Sequence, residues 1–164
     1  VRLAVNVSPR QFRHGDICAT VAAVLQETGF PAAWLELELT EGALMERESD
    51  AVATLQRLRA LGVRLAIDDF GTGYSSLAYL KRFPLDVLKI DKGFVDDVPE
   101  QEDDRQIVTA IVALAHSLRL AVLAEGVERP DQLAFLASLG CDLYQGYLMS
   151  PAVPGEQFAA LLRA

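Results

Sequence analysis

Hydrophobic and polar positions follow two alternating patterns along the chain. Six short runs are dense in Val, Leu and Ile, which is typical of buried strands. These runs are VRLAVNV (1–7), LELEL (35–39), VRLAI (63–67), DVLKI (86–90), AVLAE (121–125) and LYQGY (143–147). The longer segments between them carry apolar residues every three to four positions, which predicts amphipathic helices. Strands and helices that alternate in this way indicate an α/β fold with a parallel sheet.

Three of the predicted helices have a clear apolar face that is expected to pack on the sheet. These helices span 16–28, 50–61 and 104–118. The residues expected in the core are Ile17, Val21 and Val24 in the first helix, Val52, Leu55 and Leu58 in the second, and Ile107, Ile111, Leu114 and Leu118 in the third. We interpret such stripes as core and not as cofactor contacts.

Polar residues stand at or near the C-terminal end of every predicted strand. They are Asn6, Glu41, Asp68, Asp69, Lys89, Glu125 with Glu128 just beyond, and Gln145. A doubly wound sheet usually concentrates its site near one switch point, whereas a barrel builds its site from the ends of all its strands. We therefore predict a TIM-like (β/α) barrel. A closed barrel has eight strand-helix units and about 250 residues, so six units predict an incomplete barrel with two units missing upstream.

Composition narrows the class of partner. With 164 residues and 51% hydrophobic residues, the chain is expected to form one domain over 1–164. A net charge of −8 argues against a nucleic acid polymer as partner. No apolar run is long enough to span a membrane, which predicts no membrane contact from this segment.

The two cysteines indicate the compartment. Cys18 and Cys141 lie far apart and lack metal-ligand spacing, as expected for free thiols in a reducing environment. The expected location is the cytoplasm, where the chain is either alone or is the output domain of a larger protein, membrane-anchored or not.

The polar residues at the strand ends form a set of oxygen donors. Asn6, Glu41, Asp68, Asp69 and Glu125 suit a hard cation such as Mg²⁺, Mn²⁺ or Ca²⁺ and differ from the Cys and His ligands of zinc sites. Four carboxylates exceed the charge of one divalent ion, so two ions with one bridging Asp fit better. Pairs of ions of this kind serve in-line displacement at phosphorus. Binding a cation also explains why two adjacent acids are tolerated at 68 and 69.

Lys89 lies in the apolar run VLKI, where a lysine needs a partner or a function. If its side chain points to the same C-terminal ends of the strands, it could hold the nucleophilic water or a phosphate oxygen. Structural alternatives remain open for the whole set: a turn or helix cap for Asn6, the first helical turn for Glu41, a turn with one capping acid for Asp68 and Asp69, an ion pair for Lys89, a pair with Arg129 for Glu125, and a bond to loop backbone for Gln145.

Six ordered motifs resemble those of the EAL domain family. They are NVS at 6–8, ELTE at 38–41, DDFGTGYSS at 68–76, KID at 89–91, AEGVE at 124–128 and QGY at 145–147. The resemblance implies a TIM-like barrel that hydrolyses the bacterial second messenger cyclic di-GMP to linear pGpG with Mg²⁺ or Mn²⁺. It implies that Asn6, Glu41, Asp68, Asp69 and Glu125 are metal ligands.

The resemblance also assigns the other site residues. Lys89, Glu125 and Glu128 are implied to be catalytic, with Lys89 holding the attacking water, and Gln145 is implied to support substrate binding. The loop DFGTGYSS resembles the segment that links the site to the family's dimer interface, which implies a homodimer through the region after Asp69.

One motif of the family is missing. No Glu-Ala-Leu tripeptide occurs in the 164 residues. The resemblance therefore implies that the chain is the C-terminal portion of the domain, without the first two strands and their helices.

Two other functions stay open at this point. The first is a catalytically silent EAL-type module that binds cyclic di-GMP or a protein partner as a receptor. The second is an unrelated metal-dependent barrel enzyme that acts on a small phosphorylated or enolisable substrate. Degenerate modules tend to lose the acids that this chain retains, which favours the enzyme.

Overall fold

The computed structural model describes residues 2–45, 48–71 and 80–162. In this part of the chain, strands and helices alternate as the sequence predicts. The strands are β1 (Leu3–Val7), β2 (Leu35–Thr40), β3 (Arg64–Phe70), β4 (Val87–Ile90), β5 (Ala121–Ala124) and β6 (Leu143–Tyr144). The helices are α1 (Pro9–His14), α2 (Ile17–Thr28), α3 (Glu41–Met45), α4 (Glu48–Ala60), α5 (Lys92–Val95), α6 (Glu102–Ser117), α7 (Pro130–Ser138) and α8 (Gly155–Leu161), with a 3-10 turn at Ala32–Trp34.

The six strands form one parallel sheet in the order β1-β2-β3-β4-β5-β6. Each strand pairs with the next one along the chain, so the order never reverses. A doubly wound sheet reverses its strand order at the switch point. The sequential order is that of an open half-barrel, and the predicted incomplete (β/α) barrel is confirmed. Its strands all end at the same rim, which is where the polar residues were predicted.

The helices pack on the sheet, but two of their predicted core faces are partly wrong. In α6 the buried residues are Val108, Ile111, Val112 and Ala115, whereas Ile107 is 38% exposed. In α2 the buried residues are Ile17, Cys18 and Val21, and Val24 is exposed. Both helices carry apolar side chains over a wide arc, and only the centre of that arc faces the sheet. In α4, Leu55 and Leu58 are buried as predicted.

Some strand and loop boundaries also differ from prediction. The strand β3 runs on to Phe70 and so contains the paired acids, while β6 is shorter than the predicted 143–147. Cys18 and Cys141 are free cysteines without a disulfide, as predicted. Within the described ranges, every helix is too short or too polar to cross a bilayer.

Candidate metal and substrate site

A β-bulge explains the paired acids of β3. Ile67 is opposite Leu88 and Phe70 is opposite Ile90, so Asp68 and Asp69 together face the single residue Lys89. Asp69 adopts a positive φ of 54°, which Asp tolerates better than most residues. A bulge interrupts the alternation of side chains along a strand. Two successive carboxylates can therefore point to one side, and carboxylate oxygens of Asp68, Asp69 and Glu125 lie within 4.8 Å of one another.

Lys89 is the buried cation of this site, with a side chain that is only 2% exposed. Its Nζ lies 2.9 Å from Asp68 Oδ1 and 2.6 Å from Glu125 Oε1. Burial by itself lowers the pKa of Lys89, but hydrogen bonds to Glu125, Glu38 and Asp68 outweigh burial and raise the pKa above its ordinary value. The ammonium is therefore charged at neutral pH. Lys89 therefore does form ion pairs, which was the structural alternative for this residue. Its partners Asp68 and Glu125 are themselves predicted site residues, so the same ion pairs place Lys89 in the predicted site.

Glu38 is a site residue that was not predicted from the sequence. Its Oε1 accepts from Lys89 Nζ at 2.8 Å. The sequence LELEL contains a sign of this role, because its two glutamates alternate with three leucines in a predicted buried strand. In the structure, both Glu36 and Glu38 are buried. An acid on the inner face of a buried strand requires a cation. Glu36 pairs with Arg64 and Glu38 pairs with Lys89.

Glu41 begins helix α3 directly after β2, at the strand-end position predicted for it. It is 4% exposed, and within the described residues neither of its carboxylate oxygens has a hydrogen-bond partner. A buried carboxylate without a partner is costly, because it has lost water and gained nothing in return. A bound cation would stabilise it. This orphaned group, together with the all-oxygen donor set, fits Mg²⁺ or Mn²⁺.

The carboxylates of the site carry more negative charge than Lys89 offsets. Burial raises the pKa of Asp69, and the neighbouring charges of Asp68 and Asp91 raise it further. Burial also raises the pKa of Glu125, against the opposing effect of Lys89. Both shifts mean that ionisation is unfavourable here without additional positive charge. The site is therefore suited to a cation.

Gln145 and Asn6 flank the acidic cluster. Gln145 Nε2 donates to Glu125 Oε1 at 2.9 Å, so this predicted residue is brought to the site, and among the described residues its side chain bonds this carboxylate and not loop backbone. The adjacent Gly146 has a φ of 155°, and a Cβ there would overlap the backbone of Val127, so only glycine fits. Asn6 lies on β1 in register with Glu38. Ser8, and not Asn6, caps helix α1.

Glu128 lies apart from the acidic cluster. Its carboxylate accepts from Lys92 Nζ at 2.7 Å, and its catalytic role stays a prediction. The suggested pair between Glu125 and Arg129 does not form, because Arg129 binds Glu100 and Asp131. Asp91 caps α5. Residues 72–76 of the loop DFGTGYSS lie outside the described residues.

Comparison with known proteins identifies the family. The EAL domain model matches residues 1–152, and the chain belongs to the EAL domain family. Cyclic di-GMP phosphodiesterase NbdA from Pseudomonas aeruginosa is 49% identical over 164 residues, which is all of this chain and 21% of NbdA. The PaMucR phosphodiesterase, solved in complex with c-di-GMP, is 44% identical with a TM-score of 0.92, over 96% of this chain and 64% of that one.

A third relative was solved with a metal ion. The manganese and c-di-GMP complex of BlrP1 from Klebsiella pneumoniae is 34% identical with a TM-score of 0.83, over 92% of this chain and 38% of that one. The resemblance inferred from the six motifs is confirmed. This chain spans about a fifth of the length of the curated relatives it matches.

Proposed function

We propose that this chain carries the metal and substrate site of a cyclic di-GMP phosphodiesterase, which cleaves the cyclic dinucleotide to linear pGpG. The observation that carries the proposal is the bulge at Asp68 and Asp69, which gathers their carboxylates with that of Glu125 around the buried Lys89. The membership in the EAL family and the c-di-GMP complexes of two relatives support the choice of substrate.

The metal ligands in this proposal are the five oxygen donors at the strand ends, and the cofactor is Mg²⁺ or Mn²⁺ as a pair of ions. These donors are Asn6, Glu41, Asp68, Asp69 and Glu125. The ions, when bound, supply a water of lowered pKa and neutralise charge on the phosphate. The unpartnered oxygens of Glu41 and the raised pKa values of Asp69 and Glu125 are the features of this chain that favour cation binding.

The other site residues in this proposal act through hydrogen bonds and do not bind metal. Lys89 offers a permanently charged ammonium that holds the attacking water and a phosphate oxygen by hydrogen bonds. Gln145 fixes the orientation of the Glu125 carboxylate through its bond to Oε1 and contacts the substrate. Glu128 supports the site from the loop after β5, where Lys92 holds it. A homodimer through the region after Asp69 and a cytoplasmic location stay predictions.

The test is hydrolysis of cyclic di-GMP by the gene product that contains this chain. We expect linear pGpG to form with Mg²⁺ or Mn²⁺ and hydrolysis to stop in excess chelator. Ca²⁺ is expected to inhibit, because it binds the same oxygens with looser geometry than in-line attack requires. Undiminished hydrolysis in chelator would contradict the proposal. Tight binding of cyclic di-GMP without product under all three metals would identify a receptor instead.

A further inference from the structure

A pocket with basic walls lies at the N-terminal side of the sheet, away from the candidate metal site. Its volume is about 380 Å³, and it lies between the last turn of α4, the turn that leads into β4, and the end of α6. Each of these elements contributes one exposed cation to the wall, namely Arg59, Lys81 and Arg119. Leu85 and Leu120 also line the pocket, just before β4 and β5 begin, so it lies at the opposite end of the strands from the predicted ligands.

The wall of this basic pocket carries an excess of positive charge, although the chain has a net charge of −8. Arg59 pairs with Asp86 at 3.5 Å, and the Asp86 carboxylate also accepts from the Leu65 N–H. Within the described ranges, the side chains of Lys81 and Arg119 have no partner, and none of the residues that line the pocket is acidic. At least two cations are therefore available to an anion from outside.

Arg119 adopts a backbone conformation that favours glycine. It follows Leu118, the C-cap of α6, and its φ of 62° lies in the left-handed region. Helices often end with a residue in this conformation, which is usually Gly because a Cβ is strained there. Backbone bonds already close the helix end, from the Arg119 N–H to His116 and from the Leu120 N–H to Ala115. The guanidinium is not needed as a cap, so its presence at a strained position points to a role outside the helix.

The apolar part of the pocket and the helix ends beside it decide between kinds of anion. Phe83, Leu85 and Leu120 are buried beneath it, while Pro84 and Leu118 are partly exposed and can contact an apolar side chain. Phosphate groups are usually held by N–H groups at the beginning of a helix. Here α4 and α6 both end at the pocket, and the partial negative charge of a helix C-terminus disfavours a dense anion. Carboxylates spaced along a peptide match cations on three separate elements better.

We propose that the basic pocket is a docking site for an acidic segment of a partner protein, in which carboxylates flank an apolar side chain. The carboxylates pair with the cations of the wall, and the apolar side chain packs on Pro84 and Leu118. Because the pocket and the candidate metal site lie at opposite ends of the strands, a docked partner leaves the mouth of the half-barrel open to substrate. The proposal is independent of the phosphodiesterase assignment.

A synthetic peptide tests the chemistry of the docking site. The probe is a short fluorescein-labelled peptide in which Glu and Asp flank a central Leu-Phe pair, and its control carries Gln and Asn in place of the acids. Fluorescence anisotropy measures binding to the gene product that contains this chain. We expect the acidic peptide to bind at low salt with a Kd on the order of 100 µM, as suits a few exposed ion pairs and one apolar contact. We expect the Kd to rise at about 0.3 M NaCl, because salt screens exposed charges. Equal binding of the two peptides, or no binding of either, would overturn the proposal.

Single substitutions that each remove one positive charge locate the bound peptide. Arg119→Gly removes the guanidinium together with the backbone strain, so we expect the variant to melt no lower than the wild type while the Kd for the peptide rises about fivefold. Lys81→Ser should raise the Kd by a similar factor. Arg105→Ser is the matched control, because Arg105 is exposed at the other end of α6. Its Kd should stay within about twofold of the wild-type value. An unchanged Kd in Arg119→Gly, or an equal rise in Arg105→Ser, would contradict docking at this pocket.

Two other anions test the class of partner. If inorganic pyrophosphate binds more tightly than the peptide and loses affinity in Arg119→Gly, the pocket is a site for small phosphate compounds and the proposal is wrong. If vesicles of phosphatidylglycerol and phosphatidylcholine sediment the wild type but not Arg119→Gly, the surface contacts a membrane and the proposal is equally wrong. We expect neither result. Peptide binding is measured without cyclic di-GMP or metal, so a failed hydrolysis assay leaves this test intact.

Discussion

At the scale of single residues, the site is organised around a shortage of positive charge. Two adjacent acids in a regular strand repel each other and point to opposite faces of the sheet. The bulge at 68–69 lets both carboxylates point to one side, which increases their repulsion. Lys89 offsets only part of the charge, and Glu41 has no partner among the described residues. Each of these features costs stability without a cation, which is typical of a binding site and not of a structural ion-pair network.

Asp68→Asn separates metal binding from folding. The amide keeps the shape and one hydrogen-bond acceptor for Lys89 but removes the charge that a divalent ion requires. We expect the Kd for Mn²⁺ to rise at least about tenfold and activity to fall accordingly, while the free energy of unfolding without metal changes by no more than about 1 kcal/mol. Asp86→Asn is the control, because Asp86 pairs with Arg59 and the Leu65 N–H at the other end of the strands. Near-normal turnover of Asp68→Asn at low metal concentration would show that Asp68 serves the ion pair with Lys89 and not metal binding.

The effect of metal on stability should depend on pH. The folded-state pKa values of Asp69 and Glu125 are raised above their ordinary values of 3.8 and 4.5. An acid with a raised folded pKa destabilises the fold once ionised, so this penalty develops as the pH rises from the ordinary values through the raised ones. A bound divalent ion relieves the same penalty. The stabilisation by Mg²⁺ should therefore be near zero below pH 4 and grow across that window.

Thermal melts with and without Mg²⁺ over a series of pH values measure this effect. Acids far from the site, such as Asp16 and Asp142, have lowered pKa values and also make stability depend on pH. Their contributions are the same with and without Mg²⁺, so they cancel in the difference between the two melting temperatures. At pH 7 and about ten times the Kd, binding stabilises by about 1.4 kcal/mol, which is roughly 3–6 °C for a chain of this size. A stabilisation that is equal at pH 4 and pH 7 would show that the ion binds elsewhere.

At the scale of elements, the loops that follow β4 and β5 are joined by one buried side chain. Gln132 in α7 is 1% exposed and uses all of its hydrogen-bonding capacity. Its Oε1 accepts from the N–H groups of Glu128 and Arg129, and its Nε2 donates to the carbonyls of Val95 and Asp96. Arg129 adds bonds to the carbonyls of Asp96 and Val98. The loop that bears Glu128 is thereby fixed to the segment that follows Lys89.

Gln132→Leu should loosen this connection. The leucine fills the space but leaves the N–H groups of Glu128 and Arg129 unpaired, whereas the carbonyls of Val95 and Asp96 keep bonds from the Val98 N–H and from Arg129. Each buried group left unpaired costs about 1–3 kcal/mol. We expect the free energy of unfolding to fall by about 3 kcal/mol in urea denaturation. The control is Gln106→Leu, because Gln106 is exposed on α6 and its side chain bonds Glu102 on the same helix. Equal effects of the two substitutions would show that Gln132 does not join the loops.

Sequence patterns reveal some of these elements better than others. The strands and their polar ends were predictable because apolar density marks a buried strand and because parallel strands place their C-terminal ends at one rim. Glu38 was missed because its role depends on Lys89, which is 51 positions away in the chain and becomes a neighbour only when β3 is inserted between β2 and β4. Gln132 was missed for a similar reason, since its partners near Val95 belong to another loop. Pairings across the sheet are set by packing and leave no local pattern.

At the scale of the whole molecule, the described half-barrel has two open sides. β1 pairs only with β2, and β6 pairs only with β5. Leu3 and Val5 on β1 are exposed, as are Leu143 and Tyr144 on β6. A groove of about 350 Å³ beside β1 is lined by apolar residues of β1, β2 and α2, and it accounts for the exposure of Val24. Open strand edges with exposed apolar side chains tend to pair with other chains.

We expect residues 1–164, expressed alone, to associate through these edges and to show little hydrolysis of cyclic di-GMP. Association buries Leu3 and Val5, and the open side leaves Asn6 on an edge strand where its amide is poorly fixed for metal binding. Light scattering at about 100 µM should show dimers or larger species. Val5→Lys places a charge on the edge and should reduce association, whereas Ile107→Lys, on the exposed side of α6, should not. A stable monomer with full turnover would show that the six strands form a complete site and that their edges are protected.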